Sequence, residues 1–355
     1  MQLGITGLAK TGKTTLFNLL TSSHEATDKF AKSTESHVAI AKVPDRRLDA
    51  LATLYEPQKL TPATIQFVDI PGVEHRAGGF DLNLVQLREV DALVHVVRAF
   101  EDPDILHPQG SIDTARDIAS LDLDLILADL EIVERRLARL EQSQKRGLTA
   151  DEARERELLD ETIRPALEAE TPLRTMELAD AAERRLRGFQ LLSAKPMLVV
   201  LNVAEDELGA ASQVPSVGSG PAREVVVMSL PIEDEIAQLP PAEQRDFLSA
   251  LGLEQASLDR AIRAAYHLLG LISFFTVGQD EVRAWTIRRG TSARRAGAAI
   301  HSDIERGFIR AEVVPWEEIL ERKSIAACRD AGTLRLEGKE YVVADGEIVH
   351  FRFNV

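Results

Sequence analysis

The chain has one cysteine, Cys328, in 355 residues. No internal disulfide can form, and a reducing, cytoplasmic setting is the natural reading. The lone thiol reads as buried or incidental rather than as a nucleophile. Positive charge is also short, with a formal net charge of −15. That excludes wholesale, non-specific nucleic-acid binding but leaves room for a local basic face. No apolar run approaches the length of a membrane span, so no membrane partner is expected. The N-terminus opens into a strand pattern without the basic region of a signal peptide. Hydrophobic residues make up 45%, which indicates a globular chain with room for about two or three domains.

The most informative stretch is the first fifteen residues. Met1–Thr6 reads as a short apolar strand, and Thr15–Leu20 reads as a helix. Between them Gly7-Leu8-Ala9-Lys10-Thr11-Gly12-Lys13-Thr14 has the spacing G-x-x-x-x-G-K-[ST]. Such a loop converges backbone N–H groups on phosphate oxygens, and the helix N-terminus adds its partial positive charge. Gly7, Lys10, Thr11, Gly12, Lys13, Thr14 and Thr15 are the candidate phosphate contacts. Lys13 has the reach to stabilise the β- and γ-phosphates, and the Thr14 hydroxyl suits Mg²⁺.

A polar segment, 22–40, lies where a switch loop would cross the nucleotide, with Ser33, Thr34 and Ser36 as candidate Mg²⁺ hydroxyls or ordinary surface residues. Asp45 is placed to cap a short helix beginning at Arg46. The strand Thr64–Val68 leads into Asp69-Ile70-Pro71-Gly72. Asp69 suits Mg²⁺ through a water, and Gly72 offers an N–H to the γ-phosphate. Val73 cannot orient a water as the glutamine of Ras-type GTPases does. Ala92–Val97 is a buried-strand pattern, and the following loop carries His107, readable as a solvent-facing residue or a functional one.

From about Asp113 the chain turns helical. Ile126, Leu130, Val133, Leu137 and Leu140 are spaced as a coiled-coil seam, Gly147 breaks it, and Thr149 with Glu152 forms a capping box. A further helix is expected over about 177–192. This gives a helical insertion over 125–190, either a structural arm or a partner-binding one. The strand Met197–Leu201 ends in Asn202-Val203-Ala204-Glu205. GTPases use N-K-x-D here. Asn202 would brace the phosphate loop, Val203 replaces the lysine that lies along the base, and Glu205 replaces the aspartate that reads guanine. Guanine selectivity should therefore be weakened. Ser229, after a strand at Val225–Met228, falls near the expected base.

The remainder reads as a small α+β domain, 273–355, after an NTPase domain of 1–124 and 191–272. A hairpin is expected over 274–287, a helix over 296–306, and a second hairpin about Asp345-Gly346. Between 283 and 310 stand Arg283, Arg288, Arg289, Arg294, Arg295, Arg306 and Arg310 against Asp303 and Glu305, a local excess of +5. That is a solvated face or one that meets RNA or a ribosome.

Taken together the chain resembles the Obg-like ATPases, the YchF subfamily of translation-factor-class P-loop NTPases. The resemblance spans nearly the whole chain. It rests on Pro44-Asp45 with Arg47-Leu48-Asp49, on Asn202–Glu205, on Val282–Thr286, on Arg306–Glu312 and on the terminal His350–Val355. It implies an α/β Ras-like P-loop domain, a helical coiled-coil insertion and a C-terminal α+β TGS domain. It further implies ATP in preference to GTP, slow hydrolysis and association with ribosomes. Mg²⁺ is expected with the nucleotide, the basic face is the candidate ribosome or RNA contact, and a monomer is expected. A GTPase switch and a nucleotide-gated binding protein with negligible turnover are the rival readings. The family's mobile-loop histidine that assists hydrolysis matches His107, and Lys13 is the second catalytic candidate. The chain departs from the pattern. Ala9 and Lys10 stand for a proline and an asparagine, and in potassium-dependent relatives that asparagine helps hold K⁺. Pro71 stands for an alanine, and Glu74–Gly79 replaces a lysine- and glycine-rich switch.

Overall fold

The computed structural model describes residues 1–22, 38–70, 75–76, 79–80, 83–145, 147–208 and 222–354. It divides into two compact units, Met1–Ile40 with Gln66–Ala261, and Ala41–Ile65 with Ile262–Val355. Strands are numbered in chain order. β1 (Gln2–Thr6), β2 (Val38–Lys42), β3 (Lys59–Thr61), β4 (Thr64–Asp69), β5 (His75–Arg76), β6 (Gly79–Phe80), β7 (Ala92–Arg98), β8 (Met197–Asn202) and β9 (Arg223–Met228) precede β10 (Leu271–Thr276), β11 (Glu281–Arg288), β12 (Phe308–Pro315), β13 (Arg335–Glu337) and β14 (Glu347–Phe353). The first helices are α1 (Lys13–Ser22), α2 (Arg46–Tyr55), α3 (Leu84–Glu89) and α4 (Thr114–Gln144).

The first unit is built on a sheet of order β2-β4-β1-β7-β8-β9. β4, β1, β7, β8 and β9 run parallel. Every residue of β7 and β8 is buried, as helices on both faces of a parallel sheet require. Parallel strands place all their C-terminal ends on one edge. The loops after β1, β4, β7 and β8 therefore share that edge, where ligands of open α/β sheets bind.

α4 is one helix of 31 residues, started by Asp113, whose side chain accepts the Arg116 N–H. Its first half packs Ile118, Leu121 and Leu125 on the sheet. Its second half packs Ile126, Val133, Leu137 and Leu140 against Leu159, Ile163 and Leu167. The expected boundary at 125 thus falls inside a continuous helix. The seam and the Thr149–Glu152 capping box are both present. The helix expected over 177–192 is shorter, Asp180–Leu186 with a 3₁₀ turn to Phe189, and Gln190 in a left-handed conformation (φ 51°) ends it.

The second unit holds a sheet of order β13-β12-β14-β10-β11-β3. β10 and β11 form the expected hairpin, Leu271 opposite Arg288. Asp345-Gly346 does not make the second one. β14 pairs with β12 and β10, while Val342 makes only an isolated bridge to Ser292. The turn is tied instead to β10: Asp345 Oδ1 accepts the Ser273 N–H at 2.9 Å, and the Gly346 N–H donates to Ser273 O at 2.8 Å. The helix expected over 296–306 is two, Ala293–Ile300 and Ser302–Arg306, parted by extended backbone at His301.

The early segment 41–65 belongs to this unit, which sequence reading missed. β3 pairs in parallel with β11, Lys59 opposite Glu281. Arg47 is held between Asp45 and Asp345, with its guanidinium 5.4 Å from the Phe275 ring centroid. Cys328 is fully buried, as expected of a structural thiol. Among the described residues no helix is long and apolar enough to cross a membrane.

Candidate nucleotide-binding site

The loop after β1 is shaped by two close approaches. Gly7 (φ 145°) sits so near β7 that a Cβ would lie 2.4 Å from Val96 O. Gly12 (φ 103°) sits against the corner after β9, where a Cβ would lie 2.5 Å from Leu230 Cδ1 and 2.8 Å from Asn202 Nδ2. Both backbone positions admit only glycine. Thr11 Oγ1 closes the loop on Leu8 O at 3.1 Å. Lys10, between them, holds a left-handed φ of 63° and is exposed. Asparagine adopts that conformation more readily than lysine does, which accounts physically for the family's preference.

Lys13 opens α1 and is buried. Its Nζ donates to Gly7 O (3.0 Å) and Leu8 O (2.6 Å). Burial pushes this ammonium below its usual range, and the Asp69 carboxylate pulls it back up. Asp69 ends β4 directly beside Ile5 and is half-buried. Thr14 and Thr15 are exposed in the first turn of α1. Backbone N–H groups at this helix start have no partner inside the helix. Glycine, an ammonium, an exposed hydroxyl and a carboxylate thus converge where a polyphosphate and its divalent cation would be held.

Asn202 ends β8 and is buried. Its Nδ2 donates to Thr11 O at 3.1 Å, and its Oδ1 accepts the Leu230 N–H at 3.2 Å. The expected brace on the loop is present, and it extends to the next strand's corner. Val203 donates its N–H to Met228 O at 2.9 Å, while its side chain packs on the sheet core. Glu205 is exposed at the start of a 3₁₀ turn. Ser229 is buried, and its hydroxyl has no hydrogen-bond partner among the described residues.

His107 is not the solvent-facing residue that one reading allowed. It is buried, its Nδ1 accepts the Gln109 N–H at 3.2 Å, and its Nε2 lies 3.1 Å from Asp117 Oδ2. Two residues of this region escaped sequence reading, Asp117 and the buried Arg98. A carboxylate beside Ile118 on the apolar face of α4 was the available signal for the first. Gly72, Val73, Ser33, Thr34 and Ser36 lie outside the described residues.

The fold and this loop define a P-loop nucleotide-binding protein. The first part of the chain, residues 2–128, matches the family model described as "50S ribosome-binding GTPase". Residues 271–354 match the C-terminal model of YchF GTPases, described as a protein of unknown function. The ribosome-binding ATPase YchF of Bacillus subtilis is 42% identical over 99% of both chains, and that of Escherichia coli O157:H7 is 39% identical over the same shares. The structure of the Schizosaccharomyces pombe YchF GTPase superposes with a TM-score of 0.87 at 30% identity, covering 99% of this chain and 97% of that one. The chain belongs to the YchF family.

Proposed function

We propose that this protein is a Mg²⁺-dependent ATPase switch that turns over slowly and acts on the ribosome in the cytoplasm. The observation that carries nucleotide binding is the loop of Gly7–Thr14, braced by Asn202 and impossible to build with a Cβ at Gly7 or Gly12. Gly7, Lys10, Thr11, Gly12, Lys13, Thr14 and Thr15, with Gly72, take the phosphates. Thr14 Oγ and Asp69 would hold Mg²⁺, and the electrostatic coupling of Asp69 to Lys13 supports their sharing one phosphate site. When bound, the cation supplies charge that neutralises the phosphate oxygens. Lys13 stabilises the charge gathering on the leaving group, and His107 stands in for the missing glutamine by orienting water.

The ATP preference rests on the base edge. Val203 turns its side chain into the core and leaves no long side chain along the base. Glu205 presents its carboxylate on an arm one methylene longer than aspartate. Ser229, buried just after β9 with no hydrogen-bond partner for its hydroxyl among the described residues, is the third residue assigned to the base edge. ATP and GTP titrated against the purified protein test this: ATP should bind at least as tightly. A GTP preference of about tenfold, roughly 1.4 kcal/mol, would make it a GTPase switch instead.

Ribosome contact is proposed for the exposed Arg288, Arg289, Arg294, Arg295, Arg306 and Arg310, with the protein acting as a monomer. Arg283 leaves that face: its guanidinium lies 3.8 Å from the Trp285 ring centroid and is partly buried. Reversing the charge of Arg288, Arg289, Arg294 and Arg295 should abolish co-sedimentation with ribosomes and spare ATP affinity. Binding through phosphates should also fall steeply with salt. Sedimentation that survives the reversal would leave the patch a solvated face.

A further inference from the structure

Residues 99–113 connect β7 to α4 along the sheet edge that carries the phosphate loop and Asn202. Two arginines pin this connection near its ends. Buried Arg98 donates through Nε to Phe100 O (3.0 Å) and through Nη1 to Ile105 O (2.9 Å). Arg116, in the first turn of α4, donates through Nη1 to Ser111 Oγ (3.0 Å) and through Nη2 to Ser111 O (2.6 Å). Between these pins the chain makes a turn, closed by the Gly110 N–H on His107 O at 2.9 Å. Space around Gly110 is open. Leu106 is 83% exposed while its neighbour His107 is buried, the reverse of the order that hydropathy dictates. Something specific holds the histidine inward.

Asp117 on α4 is that group. The His107 and Asp117 side chains are only 3% and 2% exposed. The approach of Nε2 to Oδ2 lies off the N–H axis, so close packing in a buried site holds it rather than a well-aligned hydrogen bond. Arg116 fixes the carboxylate by donating to its other oxygen at 3.0 and 2.8 Å. The ring's Nδ1 is taken by Gln109, two residues along the same turn. Nδ1 is thus occupied, and Nε2 faces the Asp117 carboxylate rather than a water molecule. Gln109 travels with the turn, whereas Asp117 belongs to the helix. Releasing Nε2 requires only that the contact with Asp117 open.

We propose that Asp117 is a positioning residue that latches His107 away from the reaction, and that binding of the nucleoside triphosphate releases it. The inference rests on the reading of His107 as the group that orients the attacking water. The reaction itself is unchanged: water attacks the terminal phosphorus, the bond to the bridging oxygen breaks, and the diphosphate leaves with phosphate as the second product. What Asp117 sets is the fraction of molecules in which His107 is available.

Steady-state ATP hydrolysis by the full chain tests the latch. Asp117→Asn, which removes the charge and nearly preserves the shape, should lower KM and so raise kcat/KM roughly three- to tenfold, because ATP binding no longer has to open the latch. His107→Ala should lower kcat, and the double variant should match His107→Ala. If His107→Ala turns over like the unmodified protein, the reading of His107 falls and the latch with it. If His107→Ala is impaired but Asp117→Asn shows no rise in kcat/KM over the unmodified protein, the latch alone falls. A second measurement needs no variant. Diethylpyrocarbonate should modify His107 slowly in the free protein and about tenfold faster with Mg²⁺ and a non-hydrolysable ATP analogue, read by mass spectrometry. Equal rates in the two states would overturn the proposal.

Discussion

Asn202 ties the phosphate loop to the far side of the sheet: its amide donates to Thr11 O and accepts from Leu230, so one buried side chain bridges the loops after β1 and β9. Asn202→Ala leaves a buried carbonyl and a buried N–H without partners, at a cost on the order of 1–3 kcal/mol each. The same change frees the loop that cradles phosphate. Affinity for a fluorescent ATP analogue should therefore drop roughly tenfold or more, alongside a lower urea midpoint. Unchanged affinity would mean that the loop holds its shape without the brace.

Buried His95 supplies a pH prediction. It sits in β7 between Thr6 and Val199, its Nδ1 has no hydrogen-bond partner among the described residues, and its pKa is pushed down to about 3. Burial is the main cause, with Arg223, Arg174 and Lys13 adding repulsion. An unfolded chain binds a proton at this residue below about pH 6.5, whereas the folded chain refuses it until about pH 3. The group therefore costs stability as pH falls through that window, by up to about 1.4 kcal/mol per pH unit. His95→Leu, close in volume and apolar, should flatten the acid limb of the stability profile between pH 6 and 4. Denaturant midpoints across that range would show it, and an unchanged slope would count against it.

The parts legible in the sequence are those with local causes. The strand, glycine turn and helix of residues 1–20 announce themselves, as do the Asp45 and Thr149 caps and the apolar seam of α4. What failed needed a distant partner. Asp345-Gly346 has the chemistry of a hairpin turn, yet its carboxylate serves Ser273 and Arg47, far away in the chain. No turn rule contains that information. His107 similarly looked exposed in a polar loop, because the Asp117 that meets it lies on another element. The assignment of 41–65 to the second unit depends on β3 finding β11, a pairing that three short residues do not advertise.

Arg47 offers a test of that assignment. Its guanidinium donates to Asp45 at 2.9 and 2.8 Å and to Asp345 at 3.2 Å. Arg47→Ala would leave two carboxylates facing one another and open space beside Phe275. Partial solvent access moderates the penalty, which should be about 2–3 kcal/mol. Arg47→Lys should recover little, because a point charge cannot serve both acids with a planar fork. Thermal unfolding and hydrogen exchange across 41–65 and 271–288 would register the loss.

Lys10 supports a prediction about monovalent cations. Its φ of 63° places it at the turn of the phosphate loop, exposed, where potassium-dependent relatives carry an asparagine that helps hold K⁺. An ammonium on a flexible four-carbon stem reaches the place that such an ion would fill. A tethered positive charge there stabilises the negative charge gathering on the leaving group without recruiting a cation from solution. Hydrolysis by the unmodified protein should therefore be nearly equal in K⁺ and Na⁺ buffers of the same ionic strength. Lys10→Asn should lose activity in Na⁺ and regain part of it in K⁺. The variant also relieves the strain of a lysine in left-handed backbone, so a fall in its activity cannot be blamed on a weakened fold. A Tm at or above that of the unmodified protein would document this. Strong K⁺ stimulation of the unmodified protein would instead show that the lysine points outward and adds only general attraction for the triphosphate.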